Sequence, residues 1–145
     1  MKAVLQRVSE ASVTIKGRKT AAIGKGFLIL AGLARNDNEE TVSTIAAKIC
    51  RLRVFEDDTG RMNLDIKQAG GKILSVSQFT LLGDTRKGNR PGFENSMPPA
   101  EAEKLWYFFN ACIEHEGISV EKGDFGERMR VGLINDGPVT FVIEN

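Results

Sequence analysis

Phe27-Leu28-Ile29-Leu30-Ala31 is a continuous apolar run that follows Gly26. It has no polar position to mark a solvent face, so it reads as a strand covered on both faces. Upstream, residues 2–15 alternate well enough for a strand, with Val13 and Ile15 on one face near its end. Lys16-Gly17-Arg18-Lys19 reads as a polar turn and residues 20–23 as a return strand. Downstream, Asp37 is placed to cap a helix, with Glu40 three residues on in a capping-box arrangement. Val42, Ile45, Ala46, Ile49 and Leu52 form its apolar stripe. Arg53-Val54-Phe55-Glu56 is strand-like, and Asp57-Asp58-Thr59-Gly60 supplies a turn.

After Gly70-Gly71 a strong strand is expected over residues 72–82, then a Gly/Pro-containing loop to about Met97. A second helix begins at Pro98 or Pro99, since proline suits the first helical position. Its stripe is Ala102, Leu105, Trp106, Phe109, Cys112 and Ile113, and Gly117 is its expected C-cap. Two strands, 129–134 and 139–143, close the chain around Asn135-Asp136-Gly137-Pro138. Strand-to-strand connections dominate, so the class is α+β. The architecture expected is a mostly antiparallel or mixed curled sheet, a partial barrel, with two helices packed on it. How far the sheet closes is not fixed by the residues.

One domain accommodates 145 residues. A hydrophobic fraction of 41% and a charged fraction of 27% are those of a soluble globular chain. The formal net charge is only +1, so any nucleic-acid site must come from local clustering of basic residues. Cys50 and Cys112 both lie in helix-like segments and read as reduced thiols, not as a disulfide scaffold. Gln6 and Arg7 interrupt the apolar N-terminal stretch, so no secretory signal is expected there. The longest apolar run is far too short to cross a bilayer. A cytoplasmic location is expected.

Familiar catalytic signatures are missing. His115, the one histidine, reads as a solvated helix-terminal residue beside Glu114 and Glu116. No His/Cys/Asp cluster has metal-ligand spacing, and no P-loop or dinucleotide fingerprint occurs, so neither metal nor cofactor is expected. Two segments stand out. In Ser77-Gln78-Phe79-Thr80-Leu81, hydroxyls and an amide cluster where an apolar strand should simply finish. A regular strand would turn Ser77 and Phe79 to one side and Gln78 and Thr80 to the other. In Asn135-Asp136-Gly137-Pro138-Val139-Thr140, a proline removes a backbone donor, and its cis form costs only about 0.5–1 kcal/mol. Taken alone, each segment also reads as an ordinary strand end or turn.

Together the two segments resemble the signature motifs of the D-aminoacyl-tRNA deacylase family, SQFTL and NxGPxT. The resemblance extends along the whole chain. It includes the opening Met1-Lys2-Ala3-Val4-Leu5-Gln6-Arg7-Val8, then Gly60-Arg61-Met62-Asn63, and Asp84-Thr85-Arg86-Lys87-Gly88-Asn89-Arg90-Pro91. Glu127-Arg128 departs from the pattern, which has a small residue and an acid before Met129.

The resemblance implies a homodimer that hydrolyses the ester of D-aminoacyl-tRNA at its 3′ end, with no cofactor and no membrane partner. Ser77, Gln78, Phe79 and Thr80 of one subunit would form the catalytic floor. Gly137 and Pro138 would reach in from the other subunit with a cis peptide and aim carbonyls at the substrate's α-ammonium. An L side chain would then clash while a D side chain faced solvent, which is discrimination by exclusion. Glycine esters, which lack a side chain, are expected substrates too. Met129 and Arg7 complete the expected substrate-binding set, although Arg7 also reads as a structural group pairing near the Gly-Pro loop. The basic loop Arg86, Lys87 and Arg90 is expected to contact tRNA phosphate.

Thr80 as nucleophile would need an adjacent base, and neither motif holds one. Attack by water, with the Phe79 and Thr80 amides stabilising the oxyanion, is therefore preferred. The alternatives are a non-catalytic RNA-binding module, which wants a basic face and exposed stacking aromatics, and a small-molecule hydrolase or deaminase, which wants charged catalytic groups.

Overall fold

The computed structural model describes residues 1–86 and 88–144. β1 (Lys2–Ile15) and β2 (Arg18–Ile23) form an antiparallel hairpin whose turn takes Lys16 and Gly17 to positive φ. β3 (Gly26–Gly32) returns antiparallel along the first half of β1. Then come α1 (Glu39–Cys50) and a small antiparallel ribbon of β4 (Phe55–Glu56) and β5 (Met62–Leu64). β6 (Lys72–Ser77) lies parallel to β3 and ends in a 3₁₀ turn, Phe79–Leu82. After α2 (Pro99–His115), β7 (Val120–Lys122) runs parallel to β6. β8 (Arg130–Glu144) pairs antiparallel with β1 along almost its whole length.

β3 and β2 share one edge of β1, and β8 takes the other. β2 also approaches β6 and β7, so the mixed sheet curls into a nearly closed barrel. This explains the apolar run. Phe27, Ile29 and Ala31 face the core beneath the helices, with Ile45 and Ile49 of α1 and Trp106, Phe109 and Ile113 of α2. Leu28 faces a second core inside the curl, with Val8, Val13, Ile23, Leu74 and Val76. Each fully buried large side chain contributes about 1.5–3 kcal/mol. Cys50 is buried at the end of α1, and that burial pushes its thiol up to about 11, which keeps it protonated at neutral pH. Neither helix is long and apolar enough to cross a membrane.

Three expectations need correction, and one strand, β7, was not expected. Asn38, not Asp37, caps α1: its Oδ1 accepts from the Thr41 amide at 2.9 Å. The Asp37 carboxylate instead accepts from the Ala34 amide and the terminal ammonium of Met1, so Glu40 sits one place too early for a capping box. The expected strand 72–82 stops at Ser77, because the chain folds back against β3 at Gly32. A β-carbon on Gly32 would lie 2.8 Å from the Gln78 carbonyl oxygen. β7 is too short and polar to show alternation. The two closing strands are one strand, β8, interrupted by a bulge. Other features agree: α2 starts at Pro99, and Gly117 follows it at φ +85°.

The bulge has a clear physical cause. Gln6 pairs with Thr140 and Val8 with Asn135, so residues 136–139 have only Arg7 opposite them. The Asn135 side chain closes the gap, accepting from the Val139 amide at 2.8 Å and donating to its carbonyl at 3.1 Å. Pro138 has no amide to leave unpaired there.

Candidate functional site

Ser77 ends β6 opposite Ala31, and the Gln78 amide adds one more bond to the Ala31 carbonyl at 2.7 Å before the chain turns. The Gln78 side chain donates to Thr80 Oγ1 and does not cap the turn, so the first amides, Phe79 and Thr80, have no intrahelical acceptor. Phe79 is 57% exposed and packs edge-on against Phe93, with ring centroids 5.0 Å apart.

Ser77, Gln78 and Phe79 border a cavity of about 560 Å³. Its walls are otherwise mostly apolar: Val76, Met97, Ala102, Trp106, Phe125 and Met129. Trp106 is held by an indole bond to Ser75 Oγ at 3.2 Å. Gly123 makes room for Met129, since a β-carbon there would lie 2.6 Å from its sulfur. Two charged residues, Arg35 and Glu127, complete the lining, and Ser96 Oγ on the same lining is buried without a hydrogen-bond partner.

The structure thus brings Ser77, Gln78, Phe79 and Met129 to one cavity. Thr80 is exposed beside it and is not among its lining residues. Gly137 and Pro138 lie elsewhere, exposed on the bulge of β8, and their peptide bond is cis. Arg7, only 5% exposed, lies under that bulge. Its Nε donates to the Asp136 carbonyl at 3.0 Å and its Nη1 to the Val54 carbonyl at 2.7 Å. The carboxylates of Glu56 and Asp136, at 3.6 and 3.7 Å, balance its buried charge. Arg7 therefore ties the bulge to the strand-like segment before β4.

Arg86 and Arg90 are exposed on the loop after the 3₁₀ turn, and Lys87 lies outside the described residues. The Arg86 guanidinium already grips Asp84, with bonds of 2.9 and 2.7 Å, and holds that carboxyl down at about 2. Among the described residues no group of three His, Cys, Asp or Glu could hold a metal ion. Sequence reasoning missed Arg35, Phe93, Met97 and Trp106 as cavity residues. Nothing local marks them, because an isolated bridge between Ala34 and Ser96 joins their segments.

Comparison with known proteins points the same way as the two motifs. The family model described as D-Tyr-tRNA(Tyr) deacylase matches residues 4–144. A protein of Lactobacillus delbrueckii subsp. bulgaricus named D-aminoacyl-tRNA deacylase is 51% identical over 144 residues, 99% of each chain. One of the same name from Erwinia tasmaniensis is 49% identical over 144 residues, again 99% of each. A solved structure described as c-Myc DNA Unwinding Element Binding Protein superposes with a TM-score of 0.94 at 39% identity, covering 100% of this chain and 99% of that one. With a family model spanning nearly every residue and relatives at half identity over full length, the chain belongs to the D-Tyr-tRNA(Tyr) deacylase family.

Proposed function

We propose that the protein hydrolyses the ester of D-aminoacyl-tRNA, releasing the free D-amino acid and tRNA. The observation that carries this reading is the cavity bordered by Ser77, Gln78 and Phe79, where the chain enters a 3₁₀ turn whose first amides, Phe79 and Thr80, have no intrahelical acceptor. Water adds to the ester carbonyl carbon, those amides stabilise the developing oxyanion, and the bond to the ribose oxygen breaks as a proton from the water passes to that oxygen. An aminoacyl ester is reactive enough for so modest a site.

The second motif is supplied by a second copy of the chain. Gly137 and Pro138 do not line the cavity of their own chain. They project from a strand that exposes Leu133, Ile134, Phe141 and Val142, with Ile134 at 55% and Val142 at 60%. Apolar surface of this kind marks an interface, and a two-fold pairing would bring each chain's bulge to its partner. In that arrangement Gly137 and Pro138 hold the α-ammonium and exclude L side chains, while glycine esters are accepted. Met129 lines the substrate cavity, and Arg7 positions the bulge. Arg86, Lys87 and Arg90 contact tRNA phosphate, Arg86 in competition with Asp84.

The test is hydrolysis of D-Tyr-tRNA and L-Tyr-tRNA side by side, with sedimentation at micromolar concentration. D-Tyr-tRNA should be cleaved and L-Tyr-tRNA spared even at high enzyme concentration, by a species of about twice 15.9 kDa. Equal cleavage of both esters, or full activity in a monomer, would overturn the cross-subunit mechanism. Binding without cleavage would favour an RNA-binding module.

Thr80→Ala should keep most of the activity, within about tenfold of wild type. The Thr80 hydroxyl meets the Gln78 amide, and no carboxylate, amine or imidazole among the described residues is hydrogen-bonded to it to act as a base. Single-turnover kinetics decide the point. A folded Thr80→Ala protein without activity, or an ester trapped on Thr80, would establish Thr80 as the nucleophile.

A further inference from the structure

Among the described residues, Arg35 is the one cation lining the cavity, and no carboxylate pairs with it. It is exposed. Its base is nevertheless fixed. The Arg35 amide donates to the Asn95 carbonyl at 2.9 Å, the preceding Ala34 bridges to Ser96, and the Ala34 amide donates to Asp37 at 2.5 Å. A guanidinium carried on a pinned backbone, beside a mostly apolar cavity, is suited to an anion that stays outside while the rest of the ligand enters. Glu127, the carboxylate on the same lining, repels an anion from its own side. Arg86 offers less, because Asp84 already takes its fork.

We propose that Arg35 binds a phosphodiester of the single-stranded 3′ end of the RNA whose ester enters this cavity, a role that rests on the deacylase reading above. Arginine suits the task, since its planar fork can donate two parallel hydrogen bonds to phosphate oxygens. Arg35 holds the nucleic acid and takes no part in the chemical step.

The test compares two esters, D-Tyr-tRNA and 3′-O-(D-tyrosyl)adenosine, which has no phosphate. On D-Tyr-tRNA, Arg35→Gln should raise KM about tenfold, the loss of one charge-assisted contact, with kcat unchanged. The slope of log affinity against log salt should fall by about 0.7. On the phosphate-free ester, Arg35→Gln should match wild type. Arg35→Lys should recover most of the loss, and Arg86→Gln should cost less than Arg35→Gln. An unchanged KM on D-Tyr-tRNA would overturn the proposal. So would an equal rise on the phosphate-free ester, which would make Arg35 a support of the cavity wall. Wild-type inactivity on both esters would overturn the deacylase reading instead. Binding of uncharged tRNA, with Arg35→Gln expected about tenfold weaker, would still decide the role of Arg35.

Discussion

Gly137→Ala is expected to lower kcat/KM for D-Tyr-tRNA by about a hundredfold or more, with the fold retained. A β-carbon at position 137 would lie 2.6 Å from Val139 Cγ2, 3.0 Å from the Val139 amide nitrogen and 3.1 Å from Arg7 Nη2. Position 137 also has φ +134°, which L side chains rarely adopt. Val139 and Arg7 are the two ends of the clamp that holds the bulge, so neither can yield without releasing it. Displacement of a positioning group by about 1 Å can cost about a hundredfold in rate. The stability cost is smaller, about 1–3 kcal/mol, because the bulge is exposed and the two cores are untouched. Circular dichroism and melting should therefore show a folded protein that fails in the D-Tyr-tRNA assay. A folded Gly137→Ala enzyme at wild-type rate would remove the bulge from the mechanism.

Gly26→Ala should instead destroy the fold, costing more than about 4 kcal/mol. Its β-carbon would sit 1.8 Å from the Lys72 carbonyl oxygen and 2.7 Å from the Lys72 nitrogen. These are backbone atoms in the first rung of the parallel pairing of β3 with β6. The clash cannot be relieved by a rotamer change. β3 and β6 would have to separate where both cores meet. Total stabilities of about 5–15 kcal/mol leave little margin for that loss. Gly60→Ala is the control. It also has positive φ, but no atom lies within 4 Å of its added β-carbon, so only the modest backbone cost applies. Urea unfolding should give a far lower midpoint for Gly26→Ala, or no transition at all. Unfolding free energies for the two variants within about 1 kcal/mol of each other would show that the pairing tolerates a side chain at Gly26.

The parts of this fold set by local chemistry were legible in the sequence. The apolar run of β3, the stripe of α2 and its Pro99 and Gly117 ends depend on neighbours within a few residues. The departures have long-range causes. Asp37 fails as a cap because it bonds the chain's first residue. The strand after Gly71 ends early because Gly32 lets the chain fold back. The closing hairpin is a bulged single strand because β1 pairs along both of its parts. The two motifs were visible as unusual residues, and Met129 shares the cavity of the first. Arg35 and Trp106 were hidden as cavity residues, since only the bridge of Ala34 to Ser96 and the packing of α2 bring them there.

The bulge of β8 also constrains how this chain can vary in length. Surface turns ordinarily accept insertions freely. Here an added residue between Asn135 and Val139 has two destinations. If the pairing beyond the bulge keeps its register, the loop grows and Asn135 no longer spans it. If the bulge keeps its size, everything after it moves by one place, and strand sidedness reverses. Val142 would then occupy the inward site of Ile143, and Ile143 would be turned to the outside. The segment therefore behaves as a fixed-length gauge, tolerant of changes in what its residues are and intolerant of changes in how many there are.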